Sequence, residues 1–126
     1  MEKLKIGEFS KRCCVPVKTL RYYDDIELFK PCDIDLYTGY RYYDEMQLDD
    51  IRLIMELKEA GFSLIEIRDN WNRWNEKAFL RQREKIFQEQ KKLNEKIKKL
   101  DELRIRTQDG VIYKNEIKQK LIRKKD

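Results

Sequence analysis

KIGEFSKRCCVPVKTLRYYDD, residues 5–25, decides the fold. Ile6, Phe9 and Cys13 are spaced so that all three lie on one face of a short helix. Val15 follows after a tight turn. Pro16 then stands where a missing N–H costs least, at the first position of a second helix. That helix should run from Pro16 to Asp25 or Ile26, with Leu20 and Tyr23 facing inward. Lys18, Thr19, Arg21 and Tyr22 are the more exposed side chains. Two short helices joined by a turn of a few residues form the helix-turn-helix pattern.

On the C-terminal side, Pro31 ends any helix through Leu28-Phe29-Lys30. Helical periodicity is absent from Cys32 to Tyr43. Tyr37-Thr38-Gly39-Tyr40-Arg41-Tyr42-Tyr43 reads instead as a glycine turn entering an aromatic strand, a candidate hairpin or wing. Helical spacing resumes with Asp44 as the expected cap. Leu48, Ile51, Ile54, Met55 and Leu57 build the buried stripe, and Gly61 stops the helix. Ser63 and Glu66, three residues apart, predict a capping box, with Leu64, Ile67 and Trp71 on the inner face of the helix that follows.

Residues 76–106 contain neither proline nor glycine, which predicts one continuous helix about 45 Å long. Phe79, Ile86, Leu93 and Leu100 recur at seven-residue intervals, with Ile97 and Leu103 as partial companions. Their neighbours Arg83, Glu89, Gln90 and Lys96 are polar. So narrow a seam cannot cover a globular core but can pair with another helix, which makes Phe79, Ile86, Leu93, Ile97 and Leu100 the expected dimer interface. The expected division is 1–75 for the helix-turn-helix domain, 76–106 for the dimer helix and 107–126 for a short tail. In that tail Asp109-Gly110 is a turn signal and Val111 to Leu121 a short strand or helix.

Charge supports a nucleic-acid partner by its placement more than by its total. Residues 3–21 carry six basic side chains against Glu8 alone, the electrostatic footprint of a phosphate-binding surface. Residues 44–75 are net acidic. The basic excess at 76–106 reads as the solvated face of a long helix, as does the 42% share of charged residues overall. No apolar run approaches membrane-spanning length and Met1 to Ile6 resemble no signal peptide, so a cytoplasmic protein with no membrane partner is expected. With no histidine, Cys/His zinc sites and a histidine general base are excluded; no metal, cofactor or enzymatic activity is expected. Three cysteines, Cys13, Cys14 and Cys32, do not suit a disulfide framework.

The segments Lys5 to Lys11, Lys18 to Asp24, Leu28 to Pro31, Gly39 to Tyr43 and Gly61 to Ile67, in this order, resemble the MerR family of bacterial regulators. The resemblance covers about residues 4–71, and the long dimer helix is the family's next element. It implies a mainly α fold: a winged helix-turn-helix with a small β wing, then a long antiparallel coiled-coil helix. It also implies a homodimer on double-stranded promoter DNA that distorts an overlong spacer to realign the elements read by RNA polymerase.

The side chains suit that role. Lys11, Lys18, Thr19 and Arg21 are donors for phosphates and bases, and an arginine can hold guanine in two hydrogen bonds. Tyr22 and Tyr23 combine a phenol with a packing ring. Tyr40, Arg41 and Tyr42 form a basic-aromatic cluster on the wing, whereas Tyr43 fits hairpin packing better.

About twenty residues after the dimer helix are too few for an effector domain, and no cysteine follows Cys32 to form a metal site of the family's kind. Trp71, Trp74, Phe79 and Tyr113 could line an aromatic pocket for a small-molecule effector, although a packed junction is the favoured reading. Cys13 and Cys14 could be reactive thiols near Lys11 and Arg12, although Cys13 shares the face of Ile6 and Phe9 and reads better as core. Cys14 departs from the family's usual glycine or asparagine, and a left-handed backbone there would be strained. The rival function is an architectural winged-helix protein, an excisionase-like recombination factor, for which a long dimer helix has no use. A coiled-coil adaptor pairing with a different protein is the further alternative.

Overall fold

The computed structural model of the chain describes residues 2–107. Its elements are β1 (Lys3–Lys5), α1 (Ile6–Cys13), α2 (Val17–Asp25), β2 (Asp33–Ile34), β3 (Arg41–Asp44), α3 (Gln47–Glu59), α4 (Leu64–Asp69) and α5 (Glu76–Ile105). The chain divides into two compact units after Gln82.

In the first unit an antiparallel sheet of order β1-β3-β2 is packed by helices on one face. Leu4 pairs with Tyr43 and both are buried, while the Lys5–Tyr42 pair beside them turns the other way. This is the period-two alternation of a half-buried strand. Three rings from separate parts of the chain stack beneath the sheet. Phe9 of α1 lies 4.6 Å from Tyr43, and Phe29 lies 5.7 Å from Tyr43 and 5.9 Å from Phe9. Leu20, Tyr23, Ile51, Ile54 and Ile67 complete the core.

The helix-turn-helix is set by two local devices. Cys14 ends α1 in the left-handed conformation, φ 60° and ψ 30°, and Ser10 Oγ donates to the Val15 carbonyl at 2.6 Å. Pro16 is not the first helical residue, as expected, but the N-cap of α2. Its carbonyl accepts from Leu20 N at 3.0 Å, a bond that needs no N–H on the proline.

Asp44 also sits differently from the expected cap. It is the last residue of β3, and Met46 occupies the N-cap position. Asp44 still serves the helix start, because its carboxylate accepts from Gln47 N while Gln47 Oε1 accepts from Asp44 N. At Gly61 φ is +94° and a β-carbon would lie 2.9 Å from Gln82 Nε2, whose amide donates to the Ala60 carbonyl. The Ser63–Glu66 capping box is formed in both directions. Trp71 lies beyond α4 and packs half-buried against the core.

The helix expected over 76–106 is α5, unbroken from Glu76 to Ile105, with Asn75 Oδ1 accepting from Ala78 N ahead of it. From Arg83 to Ile105 it buries no side chain, and Ile86, Phe87, Leu93, Ile97 and Leu100 are all exposed. The expected tail element from Val111 to Leu121 lies outside the described residues.

Two stability outcomes follow from these contacts. The Tyr43 hydroxyl is buried with no hydrogen-bond partner among the described residues, and desolvation pushes its pKa from 10 up to about 12, with Asp24 adding to the shift. The folded state therefore holds this proton more tightly than the unfolded chain. The stability it contributes is intact below about pH 10 and is lost as the pH rises toward 12, by roughly 2–3 kcal/mol. Tyr43→Phe should abolish that alkaline loss and raise the melting temperature at pH 7 by a few degrees. A variant melting below the parent at pH 7 would contradict an unsatisfied hydroxyl. Cys14→Gly should stabilise by about 1 kcal/mol, because glycine takes the left-handed conformation without strain; urea denaturation reads this as a higher midpoint, and an equal or lower midpoint would refute the strain.

Candidate nucleic-acid interface

A groove of about 480 Å³ opens where α1, α2 and the β2–β3 hairpin meet. Its lining comes from Lys5, Ile6, Gly7, Glu8 and Lys11, from Arg21 of α2, and from Gly39, Tyr40 and Arg41 of the wing. Four cations thus face one carboxylate. Lys5, Lys11 and Arg21 have no ion-pair partner among the described residues, so their charge is not neutralised within the chain. No side chain caps the start of α1, whose residues Ile6, Gly7 and Glu8 line the groove wall. Its unpaired amides and the positive end of the helix dipole add to the potential there. A concave, cationic wall beside an uncapped helix start is chemistry for a phosphate.

Arg41 has a further role. Its Nε donates to Asp24 Oδ2 at 2.9 Å, with both side chains mostly buried, so the last turn of α2 is tied to the wing strand. That hydrogen bond, chiefly, raises the Arg41 pKa. Arg41 and Tyr43 alternate onto the same face of β3: one binds the helices by charge, the other by its ring. Lys5 Nζ stands 5.4 Å above the Tyr40 ring and holds that ring on the groove wall.

Of the residues expected at the DNA surface, Lys11, Arg21, Tyr40 and Arg41 come together in this groove. Lys18 and Tyr22 lie exposed on α2, where Thr19 is half-buried, and Tyr42 is half-buried in the middle of the sheet. Tyr23 is a correction. It is 1% exposed, and its hydroxyl is 3.2 Å from Lys58 Nζ of α3, which donates to it, so it is a core residue with no surface to offer DNA. The inward position read from the helix spacing was the correct one. Lys5 belongs to the basic patch of residues 3–21 but is not among the expected site residues, because a three-residue strand has too short a pattern to read.

The aromatic cluster is closed on itself. Trp74 meets Phe62 edge-on at 4.8 Å and stacks on Phe79 at 5.9 Å, with its Nε1 buried and unpaired among the described residues. Phe79 is therefore partly engaged at the start of α5, and Tyr113 lies outside the described residues. Cys13 is half-buried and burial pushes its thiol up, away from a reactive thiolate, whereas Cys14 is exposed. Among the described residues no group of three His, Cys, Asp or Glu is placed to hold a metal ion, and no helix is long and apolar enough to cross a membrane.

Residues 4–73 match the MerR HTH family of regulatory proteins. The chain is 51% identical over 63 residues to the multidrug-efflux transporter 1 regulator of Bacillus subtilis strain 168, a match covering 50% of this chain and 23% of that protein. It thus spans less than a quarter of that relative's length. An uncharacterised HTH-type transcriptional regulator of Pseudomonas aeruginosa is 34% identical over 110 residues, covering 86% of this chain and 83% of the relative. Among solved structures, EcmrR bound to DNA in its EcmrR-RPo complex has a TM-score of 0.75 at 30% identity, covering 86% of this chain and 41% of that one. The match reaches past the midpoint of the sequence, takes in the helix-turn-helix and the wing that build the groove, and leads to one conclusion: the chain belongs to the MerR HTH family of regulatory proteins.

Proposed function

We propose that this chain is a homodimeric transcription regulator of the bacterial cytoplasm that seats its basic groove on the phosphates of promoter DNA. The observation that supports this most is the groove itself, with Lys5, Lys11 and Arg21 unneutralised around the uncapped start of α1 and the wing wall opposite. In this reading Lys11 and Arg21 hold phosphates, while exposed Lys18 and Tyr22 and half-buried Thr19 of α2 meet the major groove. Arg41 positions the wing through Asp24 and lends its remaining donors to the groove wall.

Two copies pair through the α5 stripe of Phe79, Ile86, Leu93, Ile97 and Leu100 as an antiparallel coiled coil. Two-fold symmetry makes the target an inverted repeat. Bending and untwisting the DNA between the half-sites costs several kcal/mol, roughly, offset by contacts from both wings and both helices. That distortion realigns promoter elements for RNA polymerase. The relative EcmrR, solved on DNA in its RPo complex, supports the polymerase-linked setting.

Footprinting upstream of the gene is the direct test: protection of an inverted repeat inside a long promoter spacer is expected. Protection confined to a recombination attachment site would favour the excisionase-like role instead. Arg21→Ala should lower the slope of log affinity against log salt by about one and leave the melting temperature unchanged, as loss of one phosphate contact requires. Arg41→Ala should weaken binding too, and in addition lose about 1–2 kcal/mol of stability, because Asp24 is left mostly buried without its partner. An unchanged salt slope in Arg21→Ala would exclude it from phosphate contact.

Leu93→Lys places a charge in the stripe and should yield a monomer by sedimentation, with affinity for the inverted repeat falling at least tenfold, roughly, as the two-headed grip is lost. A parent chain that sediments as a monomer at micromolar concentration would dispose of the homodimer.

A further inference from the structure

The apolar stripe on α5 is bordered by charges that no contact within the chain uses. Glu89 and Lys96 stand seven residues apart, three beyond Ile86 and Leu93, so both lie along the same edge of the stripe. Neither has an ion-pair partner among the described residues, whereas Lys99 pairs with Glu102 and Arg104 with Asp101 on the same helix. Beside Ile86 and Leu93 the opposite edge carries Phe87 and Asn94, which have no charge. Arg83 enters the stripe, and its guanidinium lies 5.9 Å over the Phe87 ring, drawn toward that uncharged edge. Gln90, four residues after Ile86, is the polar member at the middle of the stripe.

We infer that Glu89 and Lys96 form two reciprocal ion pairs across the dimer, fixing one antiparallel register and selecting a second copy of this chain as the mate. This rests on the homodimer reading above and adds to it what decides the pairing. Interleaving two antiparallel stripes sets Ile86 against the partner's Ile97 and Leu93 against the partner's Gln90, each contact made twice by symmetry. In that register the charged edges meet, with Glu89 beside the partner's Lys96 and Lys96 beside the partner's Glu89. Sliding one heptad in one direction brings Glu89 against the partner's Glu89, and in the other direction Lys96 against the partner's Lys96. A parallel pair would instead set Arg83 against the partner's Arg83 and Arg104 against the partner's Arg104 within the stripe. Apolar contact does not choose among the registers, because a heptad slip exchanges the Ile86–Ile97 layer for another such as Leu93–Ile97. Charge does. An exposed ion pair adds little by itself. Like charges set opposite one another are costly, and that cost rejects wrong registers and wrong partners. A related helix carrying one sign at both positions would always meet a like charge.

The test uses the full chain and reads the dimer Kd by sedimentation equilibrium. Glu89→Lys and Lys96→Glu should each raise that Kd roughly tenfold or more, because symmetry turns both pairs repulsive at once. Glu89→Lys combined with Lys96→Glu in one chain should return the Kd to within about threefold of the parent, since both pairs re-form with their signs exchanged. An equimolar mixture of the two single variants, one of them isotope-labelled, should give heterodimers almost exclusively in native mass spectrometry. Added salt should narrow the gap between each single variant and the parent. The double variant and the mixture keep the test independent of folding, because a damaged helix would recover in neither. A single variant that dimerises like the parent would overturn the inference while leaving the homodimer intact. So would a double variant, or a mixture, no tighter than the single variants alone. A parent chain that stays monomeric would remove the homodimer reading and this inference with it.

Discussion

The stack of Phe9, Tyr43 and Phe29 is the contact on which the rest of the first unit depends. Each ring comes from a different element: α1, the wing strand, and the segment after α2. Such pairs are worth about 0.5–1.5 kcal/mol each beyond the area they bury. More important is their geometry. With Tyr43 stacked on Phe9, β3 can meet the helices in only one register, since a slip by one residue would turn Tyr43 outward and Tyr42 in. That register also brings Arg41 onto the helical side, within reach of Asp24. The cationic groove follows from the same constraint, since its wing wall begins at Arg41 and its helical walls are α1 and α2.

Much of this architecture is legible in the sequence. The spacing of Ile6, Phe9 and Cys13, the capping box at Ser63 and the uninterrupted run from Glu76 announce themselves, because each is a local rule that the packed structure also obeys. What escaped reading depends on pairing across the chain. Lys3–Lys5 becomes a strand only because β3 lies beside it, and three residues carry no period of their own. Tyr22 and Tyr23 are chemically alike, and the helix turn alone separates them, sending one to solvent and the other under Lys58. The Asp24–Arg41 pair spans seventeen residues between two differently typed elements, so no periodic pattern could disclose it.

The charge pattern acquires meaning once the pairs are sorted. Arg12 is neutralised by Glu45 and Lys3 by Asp33, at the margins of the sheet and helices, and Arg41 by Asp24 within the fold. Lys5, Lys11 and Arg21, which face the groove, have no such partner among the described residues, and neither has Lys18 on α2. Exposed pairs of this kind contribute little to stability. Their effect is selective: they remove positive potential from the flanks and leave it where a polyanion can sit. Mutual repulsion among Lys5, Lys11 and Arg21 works against folding, and it is relieved only when anionic charge enters. Such a surface is destabilising in the free protein and favourable in the complex, which is the difference a binding site requires.

The second unit poses the opposite problem. From Arg83 to Ile105 a helix of more than twenty residues buries none of its side chains, yet carries an apolar stripe along its length. The Lys99–Glu102 ion pair and the Glu84–Gln88 bond are exposed contacts between neighbours on one helix surface and contribute little. That is too little to hold a helix poor in alanine against the entropy of its own chain, since even favourable sequences are marginal in isolation. Burying Ile86, Leu93, Ile97 and Leu100 against a symmetric mate would add roughly 1.5–3 kcal/mol per fully covered side chain. In the proposed dimer the larger part of this helix's stability comes from the contact between the two chains. On that proposal, helix formation beyond the first turns of α5 and association of two chains are one process, and the free energy that orders the stripe is the same free energy that joins the two chains.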